Sequence, residues 1–166
     1  MRLFFILLFM FAIAQNAVAA ERISAQDITE HFLIDTYVGK TLNLHQLLGY
    51  YLSFRLSDTI NFQLGSSWAL TGQYGGYGTA TFGPTFKYLL NKTTVFFSPM
   101  IGVGGHAALP LGNGQLTHIR LGMQHQLQDH FGLEWSLGSL RYTNGKYQVN
   151  TISIGFYTNH TIFMAP

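Results

Sequence analysis

Residues 116–138 read LTHIRLGMQHQLQDHFGLEWSLG, and along this stretch apolar and polar side chains alternate almost without a break. Up to Gln128, one set of alternate positions is mostly apolar, and the other holds His, Arg, Gly and Gln. From Phe131 onward the alternation resumes with Phe, Leu and Trp against Gly, Glu and Ser. A period of two places the two sets on opposite faces of a β-strand. The dipeptide Asp129-His130 predicts a tight turn, so the stretch predicts a β-hairpin.

The same alternation recurs along the rest of the chain and predicts eight strands. They lie near residues 31–39, 48–56, 60–70, 79–88, 95–104, 116–128, 131–138 and 151–157. About ten residues suffice for a tilted strand to cross a bilayer. Short polar turns at 56–60, 90–94 and 128–131 alternate with longer segments at 40–45, 71–78, 105–114 and 142–147. Short turns at one end and longer loops at the other are typical of bacterial outer-membrane barrels.

The composition is unusual for a chain that folds in water. Charged residues make up 10% of it, against roughly 25% in typical globular domains, and aromatic residues make up 15%. A water-facing surface this poor in charge tends to associate. The chain has no cysteine, so no disulfide can stabilise it. A net charge of +2 gives no reason to expect a nucleic-acid partner.

Alternation alone leaves open which face points inward. A soluble lipocalin-like barrel has its apolar face inside, and a membrane barrel has it outside. The apolar set is bulky, whereas the interior of an eight-stranded barrel is narrow. The other set is rich in Gly, Ser and Thr, and it carries charges of both signs. The sequence therefore predicts an all-β fold: an eight-stranded antiparallel up-and-down transmembrane β-barrel.

This assignment sorts the side chains into two groups. The residues predicted to face lipid are Phe54, Phe62, Trp68, Phe86, Phe97, Leu121, Leu133 and Trp135. The predicted polar network of the lumen is Asp35, Arg55, Lys87, His118, Arg120, Gln124 and Glu134. Tyrosines cluster toward strand ends, which fits an interfacial aromatic girdle or an ordinary β-propensity equally well. They are Tyr37, Tyr74, Tyr77, Tyr88, Tyr142, Tyr147 and Tyr157.

Two prolines and the N-terminal region affect the strand assignment. Pro84 and Pro99 fall inside proposed strands, and each removes a ladder hydrogen bond, so we expect a local β-bulge beside each. Residues 1–20 have a positive start, an apolar run and the small-residue pattern Ala17-Val18-Ala19, which predict a cleaved signal peptide. Residues 21–30 are expected to be a periplasmic lead-in, either a short helix or disordered. Residues 31–166 are expected to form the barrel.

With these patterns, the mature chain resembles the small eight-stranded outer-membrane family that includes the OmpA transmembrane domain, OmpX and the opacity-type proteins. The best local matches are residues 121–127, LGMQHQL, and residues 131–135, FGLEW. The resemblance implies an internal ionic network that Arg120 and Glu134 join. It also implies insertion by the barrel-assembly machinery of a Gram-negative bacterium. That machinery usually reads a terminal aromatic residue, whereas this chain ends in Met164-Ala165-Pro166.

Chemistry-bearing residues are sparse. His125 lies in a place comparable to the histidine of the His-x-Ser pair that lipid A deacylases carry. It is a weak catalytic candidate, because this chain has Leu127 in the serine position. Glu134 has the opposite parity from His125, so the two are expected on opposite faces. His106 and His118 flank a long loop without a third ligand at useful spacing, so no metal and no cofactor are predicted.

The leading hypothesis for the function is a structural or surface-interaction role through the extracellular loops. The expected partners are outer-membrane lipid, the barrel-assembly machinery and a host or envelope partner. Two alternatives remain: a lipid-modifying outer-membrane enzyme and a soluble, exported, lipocalin-like binder.

Overall fold

The computed structural model describes residues 24–39, 45–70, 76–105 and 111–164. They form eight strands, each antiparallel to the next, that close into a barrel in chain order, which confirms the predicted fold class. The strands are β1 Ser24–Val38, β2 His45–Arg55, β3 Ile60–Ala69, β4 Gly78–Leu90, β5 Thr93–Gly105, β6 Gln115–Gln128, β7 Phe131–Tyr142 and β8 Gln148–Met164. Within these ranges, no helix has the length and hydropathy to cross a membrane.

The contacts divide the chain into two units. The larger, Asp27–His160, holds the barrel wall and the lumen. The described residues of the smaller unit are 24–26, at the start of β1, and 161–164, at the end of β8.

The first strand begins earlier than the alternation indicates. β1 starts at Ser24, so residues 24–30 extend the strand and are not the separate lead-in that the sequence predicts. Ile28 pairs with Phe54, and Glu30 pairs with Leu52. The pattern hides this part of the strand because Glu30 places a charge among the apolar positions. Its carboxylate accepts a hydrogen bond from the Tyr50 hydroxyl at 3.1 Å. The predicted signal peptide lies outside the described residues.

Burial alternates through the central part of the strands, and this alternation shows which face points inward. On β6, Leu121 is 57% exposed, whereas the neighbouring Arg120 is 0% exposed. The polar set lines the lumen, and the bulky apolar set forms the outer wall, so the lipocalin-like alternative is wrong. A continuous apolar wall suits hydrocarbon rather than water, as in transmembrane barrels. Of the residues predicted to face lipid, Trp68, Phe86, Phe97, Leu121, Leu133 and Trp135 are exposed on this wall, and Phe54 and Phe62 are half-exposed.

The two prolines lie opposite each other on β4 and β5, and the predicted bulges are wrong. Phe82 pairs with Ile101 on one side of the prolines, and Phe86 pairs with Phe97 on the other. Both pairs have the same register, which places Pro84 opposite Pro99. The pairing of these two fully described strands is interrupted between those pairs. Proline has no N–H to donate, so two prolines at facing positions break the ladder without shifting it.

The connections give the barrel two different ends. At the turn end, residues 56–59, 91–92 and 129–130 join the strands. At the loop end, the connections are residues 39–44, 70–77, 106–114 and 143–147, as the pattern predicts. The two-residue turn between β4 and β5 begins with Asn91, whose φ of 55° lies in the left-handed region. Asparagine tolerates this region better than most residues, which suits it to so tight a hairpin.

The face assignment predicts a cost that depends on depth. Leu121→Arg places a charge on the outer wall in the middle of β6, where Leu121 pairs with Phe97 and Leu137. We expect it to lower the free energy of unfolding in phospholipid vesicles by about 2–4 kcal/mol. The matched variant is Leu56→Arg in the β2–β3 turn, where the same change should cost at most about 1 kcal/mol. If urea unfolding shows the same loss of unfolding free energy for the two variants, the result would contradict a membrane-facing wall.

Candidate functional site

Five side chains from five strands form a closed ring of hydrogen bonds across the lumen. The guanidinium of Arg120 donates to Oε1 of Glu134 at 2.6 Å, and Nδ1 of His31 lies 2.6 Å from Oε2 of the same carboxylate. Nε2 of His31 lies 3.0 Å from the hydroxyl of Ser53. The amide of Gln63 donates to that hydroxyl at 3.0 Å, and its Oε1 accepts from Arg120 at 3.5 Å. We call His31, Ser53, Gln63, Arg120 and Glu134 the lumen ring.

The hydrogens of the lumen ring follow from its donors and acceptors. An arginine can only donate, and an ionised carboxylate can only accept. Because the Gln63 amide donates to Ser53, the Ser53 hydroxyl hydrogen can point to Nε2 of His31. With the hydroxyl hydrogen there, Nδ1 of His31 donates to Glu134. The Glu134 carboxylate balances the Arg120 guanidinium, and each side chain of the ring has hydrogen-bond partners on both sides. A buried ion pair needs this balance together with satisfied hydrogen bonds.

Two aromatic rings flank the buried guanidinium. The Arg120 guanidinium carbon lies 4.3 Å from the centroid of the Tyr51 ring and 5.5 Å from that of Phe96. Contacts at this range between a cation and a ring face are attractive. Tyr51 also connects the lumen ring to Asp35, because its hydroxyl donates to Oδ2 of Asp35 at 3.0 Å. Ser67 donates to the same oxygen at 2.8 Å.

The structure places the other predicted network residues in three settings. Gln124 joins the lumen ring by donating to Glu134 at 2.8 Å. His118 is buried beside Thr151, with 3.3 Å between Nε2 and Oγ1. Lys87 is half-buried toward the turn end.

Arg55 lies outside the lumen ring, contrary to the prediction. Its guanidinium pairs with Asp27 at 2.8 Å and also with Asp58. Arg55 has the inward parity, but it is the last residue of β2. At that position the lumen opens to water, and a long side chain reaches solvent there. Parity alone therefore does not separate a residue at the mouth of the lumen from one in its interior.

Sequence reasoning missed three members of the lumen ring: His31, Ser53 and Gln63. The pattern indicates that Ser53 and Gln63 face inward, and the register makes them direct partners on β2 and β3. His31 lies in the part of β1 where the alternation is weakest. No local signal shows that these residues meet Glu134, because the contacts cross the lumen between strands far apart in the sequence.

A second cluster fills the lumen at the loop end. The Tyr142 hydroxyl donates to the Tyr77 hydroxyl at 3.1 Å, and the ring of Tyr147 packs edge-on against that of Tyr142. Aliphatic side chains surround these rings. We call this set the tyrosine cluster: Tyr37, Leu47, Tyr77, Leu111, Leu116, Leu140, Tyr142, Tyr147 and Val149.

The girdle alternative is therefore wrong for most of the tyrosines. Four belong to the tyrosine cluster, and Tyr157 is buried inside the barrel nearer the turn end. Of those named for the girdle, Tyr88 is exposed on the outer wall, and Tyr74 lies outside the described residues. Tyr37 and Tyr157 already shared the parity of the polar set, and this parity, not their position near a strand end, determines where their rings point.

Part of the lumen ring has the order of a catalytic relay. Hydrogen bonds connect Ser53, His31 and Glu134 in the same order as the nucleophile, the base and the orienting acid of a hydrolase. A nucleophile must also meet its substrate, and Ser53 is only 2% exposed. Its hydroxyl is occupied by His31 on one side and by Gln63 on the other. The relay therefore holds strands together and offers no access for a substrate in this structure.

His125, the catalytic candidate from the sequence, does not meet Glu134, the acid considered with it. His125 is exposed on the outer wall, where its Nδ1 lies 2.9 Å from the hydroxyl of Thr93. Glu134 is in the lumen, on the opposite face of the sheet, as the parity predicts. Among the described residues, no group of three or more His, Cys, Asp or Glu side chains is arranged to hold a metal ion. His106 lies outside the described residues.

The chain is similar in structure to several small membrane barrels. Neisserial surface protein A has a TM-score of 0.58 at 6% identity, over 81% of this chain and 98% of that one. The N-terminal barrel domain of OprF from Pseudomonas aeruginosa has a TM-score of 0.59 at 11% identity, over 82% and 100%. Ail, the attachment invasion locus protein of Yersinia pestis, has a TM-score of 0.55 at 11% identity, over 84% and 100%.

These likenesses show the fold and nothing finer. No protein-family model matches the chain, and no curated protein matches it. A de novo designed transmembrane β-barrel matches as well as the natural ones, with a TM-score of 0.56 at 8% identity, over 84% of this chain and 98% of the design. A fold that a designed protein shares does not specify a biological role. The chain thus has the fold of the small eight-stranded transmembrane β-barrels that include outer-membrane proteins.

The lumen ring predicts a large penalty for removing one of its two charges. Glu134→Gln removes the only carboxylate of the lumen ring that hydrogen-bonds the buried Arg120 guanidinium, and we expect it to lower the free energy of unfolding by about 3–5 kcal/mol. Glu30→Gln, on the outer wall toward the turn end, is the control and should cost at most about 1 kcal/mol. The double variant Arg120→Met with Glu134→Leu should recover most of the loss. If urea unfolding gives the two glutamine variants the same loss of unfolding free energy, the result would contradict a buried ion pair at Glu134.

Proposed function

We propose that the protein is an integral outer-membrane barrel of a Gram-negative bacterium, exported through a cleaved signal peptide. Its role is structural or surface-interacting, and the four connections of the loop end face the outside of the cell. The observation that carries this proposal is the filled lumen within an apolar wall. Such a barrel is held in the membrane by its outer face, and its interior is used for stability. What remains free to meet a partner is the loop end.

The filled lumen argues against a transport role. Arg120 and Glu134 are almost fully buried in the middle of the barrel, and Tyr142 and Leu140 are equally buried toward the loop end. An eight-stranded barrel is just wide enough for its own side chains, and here they pack into two successive layers. An aqueous path would need both the lumen ring and the tyrosine cluster to rearrange.

Orientation follows from the two ends. In outer-membrane barrels the short turns are periplasmic and the long connections are extracellular. Toward the turn end, Ile28 of β1 pairs with Phe54 and Thr158 of β8 pairs with Phe131. The long connections are rich in Gly, and sequences of this kind suit adaptable contact with a host or envelope partner.

Accessible epitopes test this proposal on intact cells. An epitope inserted after Asn144, in the β7–β8 connection at the loop end, should bind antibody on unbroken cells. The same epitope after Asp58, in the β2–β3 turn, should bind antibody only once the outer membrane is permeabilised. Both variants must run as folded barrels on unheated gels, which controls for misfolding. Labelling of the Asp58 insertion on intact cells would contradict the orientation.

A further inference from the structure

The outer wall carries a groove that the lumen does not explain. It has a volume of about 660 Å³, within the range of small-molecule binding sites, and it runs across β3, β4, β5 and β6 near the loop end. Most of its lining is apolar. We call it the wall groove and define it by its outward-facing residues Leu64, Ala80, Phe82, Ile101, Val103 and Gln115.

Small residues make this groove possible. Ala80 contributes only a methyl group to the outer wall. Its outward-facing neighbours are much larger and include Phe82 on the same strand and Trp68 on the preceding strand. Opposite Ala80 and Thr81, the backbone of β5 approaches β4 closely at Gly102. A Cβ on Gly102 would collide with the Ala80 carbonyl oxygen, so glycine is needed there. Close strands with a small outward side chain between large ones leave a depression in the wall.

Hydrocarbon is the natural occupant of this depression. The wall groove is continuous with the apolar outer wall, which the proposed function places in the membrane. With the loop end outside the cell, the groove lies in the outer half of the bilayer. Leaving its apolar lining empty forfeits dispersion contacts, and a lipid chain lying in it recovers them.

Polar groups stand at the loop-end rim of the groove, where a lipid headgroup would lie. Gln115 lines the groove itself, and Arg141 extends from the outer face of the next strand, β7. Arg141 pairs with Thr117, two residues beyond Gln115 on β6, so Gln115 and Arg141 are diagonal neighbours. Diagonal neighbours lie about 7–8 Å apart, a separation that a phosphate group can bridge. Arg141 is exposed.

The charge of the whole loop end has the same sign. Lys40, Arg141 and Lys146 lie in or beside the long connections. No acidic residue of the sequence lies in them, because the seven are Glu21, Asp27, Glu30, Asp35, Asp58, Asp129 and Glu134. Glu21 lies outside the described residues, and the other six acids lie toward the turn end or in the lumen. Among the described residues, a phosphate at the loop-end rim therefore meets cations and no repelling carboxylate.

We propose that the wall groove is a binding site for a phosphorylated lipid of the outer half of the membrane. One acyl chain lies in the groove over Ala80, and the phosphate contacts Arg141 with the Gln115 amide beside it. This proposal rests on the proposed function, which supplies the membrane and its orientation. The site differs from general lipid contact because it selects both a chain and a phosphate at one place on the wall.

Retention of two matched lipids tests the site. The folded full-length mature protein in non-ionic detergent is mixed with dimyristoyl phosphatidic acid or with dimyristoylglycerol, which has the same chains without the phosphate. Native mass spectrometry then counts the lipid that stays bound. We expect the wild-type protein to bind phosphatidic acid about tenfold more tightly, since only the phosphate can form a charge-assisted hydrogen bond with Arg141. Millimolar inorganic phosphate should not displace it, because the chain supplies part of the affinity.

Two variants and their controls separate the parts of the site. Arg141→Gln should reduce the binding of phosphatidic acid to the level of dimyristoylglycerol, whereas Lys92→Gln, the same charge change at the turn end, should not. Ala80→Trp fills the groove and should abolish the binding of both lipids. Ile152→Trp adds the same indole to the outer face of β8 and should leave binding intact.

The outcomes distinguish this site from the barrel proposal itself. Equal binding of the two lipids by a folded wild-type barrel, or unchanged binding after Arg141→Gln, would overturn the lipid site and leave the proposed function standing. Displacement by inorganic phosphate would also overturn it in favour of a simple anion site. A wild-type protein that shows no heat-dependent mobility on gels would overturn the proposed function, and the lipid site with it.

Discussion

The ion pair between Arg120 and Glu134, 2.6 Å apart and withdrawn from water, constrains the rest of the structure. Each charge alone would cost several kcal/mol in the lumen, by an order-of-magnitude estimate, so β6 and β7 must bring the two together. A shift of one residue in either strand would turn one charge to the outer wall, because side chains alternate between faces. The lumen ring extends this constraint to β1, β2 and β3, where His31, Ser53 and Gln63 complete it. In this way one buried pair helps to set the register of five strands.

The sequence predicts much of this fold because a barrel wall repeats one local rule. The alternation predicted all eight strands and the order of the short and long connections between them. It also predicted that Arg120 and Glu134 face inward. It could not predict contacts that cross the lumen, since these depend on register and on barrel closure. For the same reason the pairing of Pro84 against Pro99 without a bulge was not foreseen. Arg55 shows a further limit, because its parity is inward although its position at a strand end lets it reach water.

The molecule separates stability from contact with its surroundings. Polar and aromatic layers fill the interior, so the barrel is a solid scaffold whose available surfaces are the wall and the loop end. The wall is apolar, and the loop end carries positive charge without acids. Similar scaffolds occur in natural outer-membrane proteins and in a designed barrel, which shows that the scaffold alone does not determine a role. The particular chemistry of this chain is therefore to be sought where its wall and its long connections meet.

In the structure the apolar face points outward, and we propose that it faces the hydrocarbon of an outer membrane. Cell fractionation, followed by gel electrophoresis of unheated and heated samples, tests this placement. We expect recovery in the outer-membrane fraction and a change of mobility on boiling, because a closed barrel resists detergent until it is heated. Recovery as a soluble periplasmic protein without detergent, with identical mobility before and after heating, would contradict it.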